Sequence, residues 1–226
     1  DMEFRDEMNV MVNPTMAPYA KECDCLVQIT AKAESEEAAE TMIAPVIEHV
    51  KERMGSYVYG VDTDTLEQAV IALLTEKKLT FSAAESCTGG ELAKRFTDLP
   101  GASAVFMGGV VTYTNAAKAK LLGIDSALIE EKGAVSREVA YEMATRVRAL
   151  LGTDIGIGIT GLAGPDGDGV HEVGTVFVSM SAGEKCYVRS LHMGAHRSRS
   201  FIRTMAGNHA YDMIRRYVTG IPVEMN

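Results

Sequence analysis

The sequence predicts an α/β protein: a three-layer α/β/α sandwich on a mixed, mostly parallel sheet, preceded by a small α+β connector. Three observations predict it. From residue 65 onward, helical spacings of three and four alternate with short strand-like runs, the signature of strand–helix–strand crossovers. Two late strand runs flank Ala182-Gly183-Glu184 and read as a hairpin, so one strand of the sheet runs against the rest. A separate strand–helix stretch precedes the linker Gly60-Val61-Asp62-Thr63-Asp64, which divides the chain into 1–60 and 61–226.

Residues 1–15 are acidic and Met-rich, and Asn13-Pro14-Thr15 with Ala17-Pro18 predicts an extended loop. Residues 25–32 alternate apolar and polar, which predicts a half-buried strand. Ser35 caps a helix whose apolar face is Ala39, Met42, Ile43, Val46, Ile47, Val50 and Met54, and Gly55 ends it. Pro45 is a defect inside that helix and is expected to kink it. About 60 residues are too few for a convincing independent core. Beyond the linker, Asp64 with Glu67 reads as a capping box for a helix over 65–77. Strand 79–84 leads through a Gly-containing turn to helix 91–98. Strand 106–113 leads to helix 116–122 with Gly123 as its stop. A short helix over 126–132 precedes Ser136, which caps a long helix to residue 151. Strands 154–160, 174–181 and 185–192 follow, then a last helix over 197–218.

Length and composition narrow the function classes. The chain has 226 residues, 46% hydrophobic and 23% charged, as in ordinary globular domains. Its net charge is −9, which argues against a surface built to track nucleic-acid backbone. The longest apolar runs are far below the roughly 18–20 residues of a membrane span. No basic segment followed by an apolar one opens the sequence, so no signal peptide is expected, although a start at Asp1 leaves room for residues upstream. Cys23, Cys25, Cys87 and Cys186 form neither a disulfide framework nor a zinc pattern, and a reduced, cytoplasmic setting is expected.

Four segments could carry chemistry. In Ala84-Glu85-Ser86-Cys87-Thr88-Gly89-Gly90, a serine follows a strand end, where open α/β sheets bind ligands. It could be a nucleophile beside backbone N–H donors, or a polar residue in a capped turn. Cys87 is the rival nucleophile, or a thiol that simply packs. In Gly108-Gly109-Val110-Val111-Thr112-Tyr113-Thr114-Asn115-Ala116-Ala117-Lys118, Lys118 falls in the first turn of a helix. It is either a base with a depressed pKa or a solvated surface cation. The stretch 156–169 carries six glycines and no Walker or dinucleotide pattern. Its Asp166 and Asp168 could meet a cation or make local turn bonds. The run from Gly194 to Arg203 gathers cations at a helix start, suited to phosphate or carboxylate, or merely solvated. The five histidines offer no helix-borne metal pair: His192 and His196 are four apart, but they lie at a strand end with Gly194 between them.

Together these segments resemble the CinA family (competence/damage-inducible protein A). AESCTGG at 84–90, GGVVTYTNAAK at 108–118 followed by LLGI, GAVS at 133–136, ITGLAGPDG at 159–167 and VGTVFVS at 173–179 resemble its C-terminal domain, the nicotinamide mononucleotide deamidase also called PncC. Residues 13–60 resemble the KH-like connecting region. Two places depart from the family pattern: Ala195-His196-Arg197 stands where Gly-Asp-Arg is common, and His171-Glu172-Val173 where a Lys-Pro-Val-like run is.

The resemblance implies an amidohydrolase that converts nicotinamide mononucleotide to nicotinate mononucleotide and ammonia. Ser86 would be the nucleophile and Lys118 the general base, with an acyl-enzyme between them and no cofactor or metal. Backbone N–H groups over Thr88, Gly89 and Gly90 would stabilise the oxyanion. Tyr113, Asn115, Thr160 and Gly161 would line the substrate site, and Arg197 would hold the 5′-phosphate. Its partners would be this small-molecule substrate and further copies of the chain in a homo-oligomer, with neither nucleic acid nor membrane. The rival is a non-catalytic nucleotide-binding domain using the same pocket. An RNA-binding role for residues 1–60 is disfavoured, because no Gly-x-x-Gly loop is present there.

Overall fold

A computed structural model describes residues 4–224. The chain divides at Val61/Asp62 into two compact units. The first contains α1 (Arg5–Val10), β1 (Thr15–Lys21), β2 (Asp24–Thr30) and α2 (Glu36–Met54). β1 and β2 form an antiparallel ribbon, and Phe4, Met16 and Val50 make a small core beneath it. Both α1 and β1 fall where a loop was expected. Pro18 sits in β1 opposite Val27, and a two-stranded ribbon tolerates this because each strand has one unpaired edge. The Asn13 side chain closes the ribbon's open end, donating to Lys32 O at 2.8 Å and accepting from Lys32 N at 2.9 Å. Ser35 caps α2 by accepting from Ala38 N, and α2 runs uninterrupted through Pro45 to Gly55 at φ +53°.

The second unit holds the remaining elements: α3 (Leu66–Lys77), β3 (Phe81–Glu85), α4 (Glu91–Thr97), β4 (Phe106–Val111), α5 (Asn115–Leu122), α6 (Ser126–Lys132), α7 (Arg137–Leu151), β5 (Ile155–Gly161), β6 (Thr175–Ala182), β7 (Lys185–His192) and α8 (Arg199–Thr219). Their five strands form one sheet in the order β4-β3-β5-β6-β7. β3 pairs in parallel with both β4 and β5, and β6 pairs antiparallel to β5 and β7. Four strands therefore point one way and β6 alone opposes them, as the hairpin predicts. The cap of α3 lies one residue beyond the expected pair. Thr65 accepts from Gln68 N, while the Gln68 side chain accepts from Asp64 N. Glu67, freed from capping, is buried against Arg95.

Helices α3, α4 and α8 cover one face of the sheet, and α5, α6 and α7 cover the other. Alternation in β5 and β6 sorts the two cores. Ile155, Ile157 and Ile159, with Val176, Val178 and Met180, point toward α8. On the opposite face the same strands present Gly156, Gly158, Ser179 and Ser181, and α7 comes down onto this strip of small residues. A Cβ on Gly156 would stand 2.2 Å from Ala144 O, and one on Gly158 would stand 2.5 Å from Ala140 O, so no side chain fits at either position. Ser179 uses that closeness and donates to Ala140 O. No helix among the described residues is long and apolar enough to cross a membrane.

Candidate active site

The carboxyl ends of β3 and β4 lie side by side in the parallel pair. Ser86 follows β3 directly, and its N–H donates to Ile159 O of β5 at 2.9 Å. Lys118 enters from the first turn of α5, whose cap is Thr114, accepting from Ala117 N. Its ammonium lies 2.9 Å from Ser86 Oγ and 3.0 Å from Thr112 O. The lysine is only 1% exposed and Ser86 7%, so both are withdrawn from bulk water. Burial holds the Lys118 amine below its ordinary range, and no carboxylate pairs with it among the described residues. Lys118 is thus not the solvated surface cation that its sequence position also allowed.

Cys87 is as buried as Ser86 and differs from it in that the Lys118 amine bonds the serine hydroxyl rather than the thiol. Burial pushes its thiol up to about 12, against the opposing pull of the backbone N–H groups of Cys87 and Thr88 and of the nearby Lys118. A thiol held protonated at neutral pH is a poor nucleophile. That favours Ser86 over Cys87.

The turn between β3 and α4 is fastened on several sides. The buried Glu85 carboxylate accepts from Gly90 N and Leu92 N through one oxygen and from Ala93 N through the other. An acidic group at a helix start satisfies orphan N–H groups and favours the positive end of the dipole. Gly89 N donates to Ser86 O at 3.0 Å. The N–H groups of Gly89 and Gly90 are therefore engaged inside the turn, which corrects the expectation that they face an oxyanion. Among the described residues, no carbonyl or carboxylate takes up the N–H of Cys87 or Thr88. Gly89 and Gly90 serve the turn through φ of +60° and +94°, which glycine adopts without strain.

The other expected residues divide between the site and its frame. Tyr113 lies past the end of β4, exposed, and its hydroxyl accepts from Arg199 Nη2 at 3.0 Å. Arg199 Nη1 also donates to Gly164 O at 2.6 Å, so one guanidinium joins the second and third motifs. Asn115 opens α5 and is exposed. Thr160 is buried and donates to Ala134 O at 2.7 Å, tying the loop before α7 to β5. Gly161 packs against β6, where a Cβ would stand 2.7 Å from Thr175 O. The structure thus gives Thr160 and Gly161 framework contacts. Arg197 is exposed, with its guanidinium 4.6 Å from the centre of the Phe201 ring. Asp168 accepts from Val170 N and His171 N, the local turn bonding its position also allowed.

Residues given no role from the sequence also belong here. Glu85 carries a readable signal, an acid just before a helix start. Arg199 and Arg203 share one face of α8 at a spacing of four, but only the fold shows what they touch. A separate surface pocket, lined by Lys185, Tyr187, Tyr217 and residues 220–224, contains none of the site residues.

The comparisons with known proteins bear on this arrangement. The family profile of the CinA C-terminal domain matches residues 63–218, and that of the damage-inducible protein CinA KH domain matches residues 4–60. This chain belongs to the CinA family. A CinA-like protein of Desulfovibrio desulfuricans is 47% identical over 215 residues, covering 94% of this chain and 50% of that protein. A CinA-like protein of Kosmotoga olearia is 45% identical over 205 residues, covering 90% and 49%. The chain spans about half the length of the curated relatives it matches. Among solved structures, the competence/damage inducible protein CihA from Agrobacterium tumefaciens superposes with a TM-score of 0.64 at 33% identity, covering 70% of this chain and 96% of that one. A CinA superfamily protein from Escherichia coli gives 0.63 at 30% identity, covering 72% and 97%. The α/β architecture of this chain is that of CinA superfamily structures.

Proposed function

We propose that this CinA-family chain is a Ser-Lys amidohydrolase that converts nicotinamide mononucleotide to nicotinate mononucleotide and ammonia. The observation that carries the reading is the 2.9 Å approach of a buried lysine, without a carboxylate partner, to the hydroxyl of a serine at a strand end. Such a serine needs an adjacent base, and a lysine acts as one only when neutral. Burial favours that neutral form. The substrate is drawn from the family resemblance, and the exposed Tyr113 and Arg197 are consistent with an aromatic ring and a phosphate.

The chemistry follows from the geometry. Neutral Lys118 accepts the Ser86 proton while Oγ attacks the carboxamide carbon. The tetrahedral oxyanion is held by the N–H groups of Cys87 and Thr88, which no carbonyl or carboxylate takes up among the described residues and which meet only the Cys87 sulfur. The C–N bond breaks as the Lys118 ammonium protonates the leaving nitrogen, releasing ammonia and leaving an ester on Ser86. Lys118 then deprotonates a water that attacks the ester, and its proton returns to Ser86 as the carboxylate leaves. Arg197 would take the 5′-phosphate. Arg199 and Arg203 already bond Gly164, Tyr113 and Thr88, whereas the Arg197 guanidinium only stacks. The test is ammonia release from nicotinamide mononucleotide by wild type and Ser86→Ala. Turnover by wild type and none by Ser86→Ala is expected. Equal turnover by both overturns the dyad, and saturable binding without turnover by wild type identifies a nucleotide-binding domain instead.

A further inference from the structure

We infer that Arg203 is a positioning residue that braces the nucleophile turn from α8, holding the backbone on which the oxyanion donors sit; this rests on Ser86 being the nucleophile. Arg203 lies 115 residues away in sequence, yet its guanidinium donates twice to one carbonyl of the turn, from Nε at 3.1 Å and Nη2 at 2.6 Å to Thr88 O. Nε also stands 3.3 Å from the Glu91 carboxylate, whose other oxygen accepts from Thr204 Oγ1 at 2.8 Å. The cation is therefore committed to the turn and to α4.

The placement matters because of what surrounds Thr88. The turn is anchored at Ser86 N by Ile159 O and beyond Gly89 by the Glu85 carboxylate. Between those anchors lies the Cys87–Thr88 peptide, which carries the Thr88 N–H. The next peptide is anchored by Thr88 O and is followed by two glycines with positive φ. Without Arg203, that peptide would keep Glu91 N on Thr88 O at 3.1 Å and Gly89 N on Ser86 O at 3.0 Å. Glycines permit rotations that other residues forbid, so the peptide would be less restrained and the oxyanion donors beside it would drift out of line. The Thr88 side chain cannot stop it, because its buried hydroxyl takes no partner among the described residues. A charge-assisted double bond to the carbonyl supplies the missing restraint.

The test compares wild type, Arg203→Lys and Arg203→Met in two assays. One is steady-state ammonia release from nicotinamide mononucleotide. The other is the burst of Ser86 acylation by p-nitrophenyl acetate, which needs no nucleotide site. Misplacing reacting groups by about 1 Å costs on the order of 10²-fold in rate. For Arg203→Met, kcat and the acylation rate are expected to fall by about that factor, with KM within about threefold. Arg203→Lys should recover part of both, since it restores a cation and one donor. Unchanged kcat and acylation in Arg203→Met overturn the inference. So does a rise in KM with kcat intact, which would make Arg203 a substrate ligand. Circular dichroism and melting of each variant separate these outcomes from unfolding: a kcat loss that merely tracks lost folded protein, with folded molecules fully active, also overturns it. If wild type acylates but releases no ammonia, the substrate assignment fails, and the acylation rates still decide the role of Arg203.

Discussion

Lys118→Met removes the base while keeping a flexible side chain of similar length. The structure sets two opposing effects on stability. The ammonium makes two bonds, to Ser86 Oγ and Thr112 O, and the variant leaves both oxygens without that donor. Against this, the variant no longer has to bury a charge at a position only 1% exposed. The lowered pKa of Lys118 means that the fold disfavours the charged amine relative to the neutral one, so the first effect weakens the variant at every pH and the second favours it only where the wild-type amine is charged. Leaving buried oxygens unpaired costs about 1–3 kcal/mol, so Lys118→Met should compare best with wild type at neutral pH and fall behind as pH rises. The pH dependence has a definite sign. The unfolded lysine titrates near 10.5 and the folded one lower, so the penalty is complete below the folded value and disappears above the unfolded one. Urea melts from pH 6 to 10.5 should show the variant losing ground to wild type as pH rises. Ammonia release should fall by about 10²–10⁴-fold, the usual contribution of a positioned base. A lysine at 10.5 is neutral at pH 7 in only about one molecule in 3,000, a penalty near 5 kcal/mol, and burial lowers it by about 1.4 kcal/mol for each tenfold gain in the neutral form. Wild-type kcat/KM should accordingly rise with pH on its acid limb. A stability difference that is flat across this range would refute the account of a charge buried at a cost.

Three further outcomes follow from other contacts. Cys87→Ala should retain ammonia release within a few-fold, since a thiol pushed up to about 12 takes no part as a nucleophile; a loss comparable to Ser86→Ala would reverse that assignment. Gly158→Ala places a carbon 2.5 Å from Ala140 O and 2.6 Å from Ala144 N, and urea unfolding should show a loss of at least about 1–3 kcal/mol, as overpacked sites do. Arg197→Ala should raise KM for the mononucleotide with little change in kcat, and should leave activity on nicotinamide riboside, which lacks the phosphate, unaffected.

Much of the second unit was legible because its boundaries carry local chemistry. Ser136 caps α7, and Gly123, Gly152 and Gly220 end their helices in left-handed conformations. The first unit was less legible at its start. There the prolines of an edge ribbon look like loop residues, and a core of three buried side chains leaves little periodicity. Ser86 and Lys118 could be singled out as motif residues, but their mutual distance depends on adjacent β3 and β4. The choice between Ser86 and Cys87 depends on which of them the Lys118 amine reaches, which local sequence does not encode. The grip of Arg203 on Thr88 spans 115 residues and has no local signature. Thr160 and Gly161 enter the expected substrate site through the ITGLAGPDG motif of the family resemblance, and the contacts they make hold the frame together.

Ser86 and Lys118 belong to different crossovers and meet only after β3 and β4 have paired and α5 has docked. Neither residue has a local partner that could activate it earlier. A nascent, proteolysed or partly unfolded chain would thus carry an ordinary serine and an ordinary, fully protonated lysine. The reactivity proposed for this pair would in this way be conditional on structural integrity.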